Sequence, residues 1–160
     1  MSWSSSVDPV INALLKILPA WPDLAGVSVR DGGQTPDVSG VGAIFIGDTQ
    51  QLDDAGQPVE NAADYLATGE GMGGDRSREQ FSIHCCAAFL DTNSNYANAR
   101  KQAYLLASAA GAAIEAHSNG LAGAIQGQAG MSGGALKYVR SDAGIKAVVL
   151  FDVDVSSYTH

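Results

Sequence analysis

Two stretches of this chain have the residue types and spacing of known chemical motifs. Gly69-Glu-Gly71-Met-Gly-Gly74 fits G-x-G-x-x-G, in which glycines bring backbone N–H groups to a dinucleotide pyrophosphate at a helix N-terminus. Gly130-Met-Ser132-Gly-Gly134 fits G-x-S-x-G, the sharp strand-to-helix turn that exposes a nucleophilic serine. Both patterns depend on what surrounds them. The first needs a strand before it and a helix after it, whereas loop-like sequence precedes these glycines and strand-like sequence follows. The second needs a helix after Ser132, then an acid and a histidine. Strand-like sequence follows instead, and the only later histidine is His160. A glycine-rich turn is therefore expected at 130–134, and nucleotide binding is not expected at 69–74.

The remaining reactive groups are dispersed. His84 falls on a strand, His117 at a helix end and His160 at the last position. His84 shares a strand face with Cys86, but two ligands do not make a zinc site, and no third or fourth is evident. An edge or interface histidine is the better reading. Protonated His117 near a helix C-terminus favours the helix dipole and needs no further role. Asp152 and Asp154 share one strand face and are read as exposed outward acids. Cys85 and Cys86 are adjacent, so on a strand they point to opposite faces and cannot easily bond each other or share a metal. They are read as buried free thiols in a reducing cytoplasm. No catalytic, metal or cofactor-binding residues are assigned, and the chain is not expected to be an enzyme.

The elements that would carry these groups can be read from periodicity. Ser6 or Asp8 caps a first helix, with Pro9 in its first turn. Val7, Val10, Ile11, Leu14, Leu15 and Leu18 form its apolar stripe, and Pro19 and Pro22 stop it. Val27 and Val29 mark a short strand over 26–32, with a turn at 31–33. Val38 to Gly47 is apolar on both faces, with Val41, Ala43 and Phe45 against Ile44 and Ile46, as in a strand covered on both sides. Residues 49–77 are rich in glycine and weakly periodic, and predict a long loop, with a strand hairpin inside it as the poorly marked alternative. So long a loop in a small domain is usually functional or ordered by a partner. Arg78 to Leu90 alternates cleanly, with Phe81, Ile83, Cys85, Ala87 and Phe89 inward.

The cluster 91–95 supplies a turn and a cap for a long helix from Tyr96 to His117. One face holds Tyr96, Ala99, Ala103, Leu106, Ala110 and Ile114; the others hold Ala109, Ala112, Ala113 and Ala116 and few charges. A helix apolar nearly all round is usually buried on more than one side, although alanine is also the strongest helix former. A terminal hairpin follows: Leu136 to Arg140, a turn at 141–144, then Ile145 to Ser156. In that last strand Ala147, Val149, Phe151, Val153 and Val155 face inward. The fold expected is α/β of the α+β kind, a mixed and mainly antiparallel sheet packed by two helices. One domain over 1–160 is expected, with the long glycine-rich loop at 49–77.

Composition narrows the function classes. A chain of 160 residues can hide about 70% of its unfolded surface, enough for a core. No apolar run reaches the roughly 20 residues a membrane helix needs, and Met1-Ser-Trp-Ser-Ser-Ser has no basic region of a secretory signal. Nine Lys and Arg against 17 Asp and Glu leave a net charge of −8. That balance opposes nucleic-acid and anionic-membrane binding and favours solubility.

Five segments in this order resemble the tail-terminator family of long-tailed bacteriophages. They are Val10-Ile-Asn-Ala-Leu-Leu-Lys-Ile-Leu-Pro19, Val27-Ser-Val-Arg-Asp-Gly32 and Arg78-Glu-Gln-Phe-Ser-Ile-His-Cys85, then Ala99-Arg-Lys-Gln-Ala-Tyr-Leu-Leu106 and Ala143-Gly-Ile-Lys-Ala-Val-Val-Leu-Phe-Asp-Val-Asp-Val155. The resemblance spans nearly the whole chain except the glycine-rich loop, which is longer than in shorter relatives. It implies a structural protein of the virion tail, assembled in the host cytoplasm. Such a protein forms a ring, usually of six subunits, that caps the head-proximal end of the tail tube. It ends polymerisation of the major tail tube protein and presents a surface to a head–tail connector protein, while DNA passes the acidic pore without specific binding. Subunit or tube contacts are then expected at Glu70, Met72, Arg76 and Arg78 of the loop and at Ala109 and Ala112 of the long helix. The alternatives are another head–tail joining or minor tail protein, or an acidic cytoplasmic small-molecule binding module.

Overall fold

In the computed structural model, which describes residues 5–32, 42–47, 51–52, 55, 58–59, 62–70 and 77–159, the first apolar stripe folds as α1 (Val7–Ala20). Val10, Leu14, Ile17 and Leu18 are buried. Ser6 holds the N-cap position, but its side chain caps nothing. The Ser5 hydroxyl oxygen accepts from the Val7 N–H at 3.2 Å instead, and Glu79, on a distant strand, holds the residues ahead of the helix. Its carboxylate accepts from the Ser6 N–H at 3.0 Å and from the Ser5 hydroxyl at 2.7 Å. Pro19 does not stop the helix as expected; it lies inside the last turn. A proline cannot make the bond back to Leu15, yet its fixed φ is helical, so one more residue follows before Trp21 turns extended. A single 3-10 turn (Pro22–Leu24) then leads to β1 (Ser28–Asp31).

β2 (Ala43–Ile46) is buried at every residue, the two-sided burial its composition predicts; Val38 and Val41 lie outside the described residues. β3 (Gln51–Leu52) and β4 (Pro58–Val59) form a small separate antiparallel ladder. β5 (Ala63–Glu70) is the main departure from the expected loop at 49–77. It pairs along β6 (Ser77–Asp91), with a register shift between Tyr65 and Ala67. The bulge breaks the two-residue alternation that marks a strand in sequence, and β6 supplies the hydrogen bonds.

α2 (Tyr96–Ala116) begins at Asn95, whose side chain accepts from the Asn98 N–H at 3.1 Å, so the predicted cap is formed. The terminal hairpin is longer than its sequence signal. β7 (Gln126–Ser141) and β8 (Gly144–Thr159) each run 16 residues. The main sheet has the order β1-β2-β6-β8-β7, with β5 on β6 beside β2. Among the described residues only β1 and β2 pair in parallel; every other pairing is antiparallel.

Both helices lie against the sheet face lined by Phe81, Ile83, Cys85 and Ala87 of β6 and by Ile145, Ala147, Val149, Phe151, Val153 and Val155 of β8. α2 contributes Ala99, Ala103, Ala107, Ala110, Ala113 and Ile114, a row of small side chains at helical spacing that lets it lie close to the strands. On the other sheet face, Ala43, Phe45, Cys86, Ala88 and Val148 form a second buried cluster. The two cysteines thus point to opposite faces, both buried and neither in a disulfide. Burial pushes the Cys85 thiol up to about 12, so it is not a thiolate at neutral pH. No helix among the described residues is long and apolar enough to cross a membrane.

Candidate functional site

Neither chemical motif has the geometry its chemistry needs. Residues 130–134 are not a turn but part of β7, paired with β8 through a register shift between Gly133 and Leu136. Glycine suits this place because a Cβ on Gly134 would lie 2.5 Å from the Leu150 carbonyl oxygen. Ser132 stands opposite Asp152 on β8, not opposite an imidazole. The serine of a hydrolytic triad needs a histidine nitrogen on its hydroxyl. Gly69 and Glu70 end β5, opposite Arg78 and Ser77, so a strand precedes this glycine run where a loop was expected. The next element among the described residues is again a strand, β6, and not the helix that would hold a pyrophosphate.

The polar groups do converge, in a way that sequence separation hides. On the sheet face away from the helices, His84 stands opposite Asp152 of β8, and Ser82 stands opposite both Asp154 of β8 and Asp64 of β5. The His84 ring bridges three strands, with Nδ1 2.7 Å from Asp152 Oδ1 and Nε2 2.7 Å from Asp64 Oδ2. The Ser82 hydroxyl donates to Asp154 at 2.6 Å. His84 therefore does not turn to Cys86, and Asp152 and Asp154 are half-buried, engaged acids instead of free ones. Burial opposes charge on the imidazole, but the hydrogen bonds to Asp152 and Asp64 outweigh it and raise the pKa above the ordinary value.

A testable pH dependence follows from that raised value. A histidine whose folded pKa is raised stabilises the fold fully below its unfolded value, about 6.5. The contribution is lost as pH rises through the folded pKa. Solvent reaches both carboxylates, so the amount is about 1 kcal/mol. Urea midpoints of the wild type should fall over that interval relative to His84→Gln. Parallel profiles for the two proteins would show that the bridge carries no charge-dependent stability.

No family model and no curated protein matches the chain. Among solved structures, a chain of the virion of a native gene transfer agent particle is similar, with 14% identity over 97% of this chain and 100% of that one. The TM-score is 0.46, a likeness that assigns no role.

The expected interface residues fare unevenly. Met72 and Arg76 lie outside the described residues. Glu70 ends β5, and Arg78 is exposed on β6 opposite Tyr158 of β8. Ala112 is exposed, but Ala109 is half-buried against the main core, so the two do not share one free face. Glu at Ala109 would press a carboxylate into the chain's own packing, at a cost of about 1–3 kcal/mol. Glu at Ala112 should change stability by less than about 0.5 kcal/mol. Thermal melts of the two variants check this, and equal losses would refute the assignment of faces.

One cluster had no signal in the sequence. Tyr96 and Tyr138, from α2 and β7, meet edge to face with ring centroids 5.0 Å apart. Arg140 donates to the Tyr96 hydroxyl at 2.8 Å, and Arg100 donates to the Tyr138 hydroxyl at 3.2 Å. Tyr96 is thus not part of the buried helix face assigned to it but 39% exposed. Only the fold brings together residues separated by 38 and 44 positions.

Proposed function

We propose that this chain is a structural protein of a phage-type tail. In this reading it forms a homo-hexameric ring that caps the head-proximal end of the tail tube, ends tube polymerisation and offers the surface that joins the head. One observation carries the reading. The three most distinctive segments of the tail-terminator resemblance, Arg78–Cys85, Ala99–Leu106 and Ala143–Val155, contribute to β6, α2 and β8, which pack together around the main core. The resemblance therefore rests on the residues that build the unit. The carboxylates of Asp64, Asp152 and Asp154 on the polar sheet face suit a channel that DNA must leave without adhering.

The test is polymerisation of purified tube protein with and without the chain. Short tubes bearing the chain at one end only are expected. Tubes of unrestricted length, with no chain at either end, would overturn the proposal. Binding to a connector protein without any effect on tube length would instead mark a different head–tail joining protein.

A further inference from the structure

Charge is distributed unevenly along the chain and over its surface. Between Tyr96 and Lys146 there are five cations, Arg100, Lys101, Lys137, Arg140 and Lys146, against two acids, Glu115 and Asp142. The rest of the chain has four cations against 15 acids, so a segment at +3 sits on a remainder at −11. The fold gathers most of the cations at one place. Arg100 and Arg140 flank the Tyr96–Tyr138 pair on the helix side of β7. Lys137, Val139 and Lys146 lie around the same end of the hairpin, with Val139 paired opposite Lys146.

Among the described residues β7 is also an edge of the main sheet, with β8 as its one partner in the strand order, while its start at 127–129 bonds on the outer side to residues 118–120. A long edge strand invites another chain unless it is guarded, and basic side chains with a register break are common guards. Guarding alone does not explain the geometry, because a guard needs charge but no fixed orientation. Here two guanidinium groups are bonded to two tyrosine hydroxyls, and Arg140 also lies over the Tyr96 ring at 5.9 Å. Tyr138 is 38% exposed and Val139 44%. Exposed Tyr and Arg held in place are the side chains that anchor protein interfaces, because their ordering cost is met before binding.

From this geometry we infer that the Tyr96–Arg100–Tyr138–Arg140 surface at the β7 edge is a subunit contact, and that its partner is the acidic surface of a second copy of this chain. Two different patches meet in such a contact, so each copy offers one of each, the head-to-tail arrangement that closes rings. It also offsets the like-charge repulsion among copies of a chain at −8. Duplex DNA is the less fitting partner, since the surrounding field is acidic. The inference rests on the ring reading only in requiring that copies associate.

Sedimentation equilibrium and native mass spectrometry test it on the full chain at low and high salt. Wild type should self-associate, and added salt should weaken the association. Arg100→Glu with Arg140→Glu should weaken it by about a hundredfold, because like charges would then face each other. Arg100→Lys with Arg140→Lys keeps the charge and should retain most of it. Circular dichroism confirms that each variant is folded. A folded double-Glu variant that associates like wild type would overturn the inference and leave the ring reading intact. A wild type that retains duplex DNA through these arginines would likewise overturn the inference alone, whereas one that stays monomeric at millimolar concentration would overturn both the inference and the ring reading. Association as inferred, without any capping of tubes, would fail the ring-cap reading alone.

Discussion

Gly144→Ala should cost about 3–5 kcal/mol and leave the terminal hairpin unable to close against the rest of the molecule. Gly144 is the first residue of β8, after the tight turn that follows Ser141. Its φ is +137°, a backbone state that L side chains rarely adopt. A Cβ there would lie 2.1 Å from the Asp91 carbonyl oxygen and 2.9 Å from the Thr92 Cα. Both are backbone atoms at the corner between β6 and α2. That corner is itself fixed, because the Asp91 carboxylate accepts from the Asn93 N–H at 2.8 Å and from the Asn98 amide at 2.6 Å. Neither side can retreat, so the strain goes into the sheet. Total stabilities of single domains run about 5–15 kcal/mol, so the loss is a large share of it. Urea unfolding measures it, with exposed Ala143→Gly as a near-neutral control. A Gly144→Ala variant within about 1 kcal/mol of wild type would refute the steric assignment.

Phe81→Ala should have the next largest effect, about 3–5 kcal/mol. The ring is fully buried and stands between β5 and β8, opposite Tyr65 and Val155. Its centroid is 5.9 Å from that of Tyr65, edge to face. Truncation removes apolar burial and leaves a cavity that the surrounding strands can only partly close. Phe81→Leu refills most of the volume and should cost less than about 1.5 kcal/mol. β5 also carries Asp64, one of the two carboxylates on His84. Loosening β5 should therefore lower the His84 pKa toward its ordinary value, which NMR titration of the imidazole would read. A Phe81→Ala protein with an unchanged His84 titration would show that β5 is held independently of this ring.

What the chain encodes locally is legible without a structure. The α1 stripe, the alternation of Phe81, Ile83, Cys85 and Ala87, and the inner face of β8 each repeat at the period of their element. The two strand faces became core, and of the stripe Val10, Leu14 and Leu18 did, while Val7, Ile11 and Leu15 pack at its margin. Asn95 caps α2 because a cap depends on neighbours three residues away. The failures share a different cause. β5 is broken by a bulge and bonded to β6, and residues 130–134 are held extended by β8, so the sequence of neither segment signals a strand. Pairing partners were decisive there, not propensity. The same holds for the surfaces. His84 meets carboxylates 20 and 68 positions away, and the two arginines meet tyrosines 38 and 44 positions away. A single sequence without those pairings lists the charges but does not show which of them share a face. Only strand order and helix placement decide that, because electrostatic and packing contacts act over a few ångströms in space, whatever their separation along the chain.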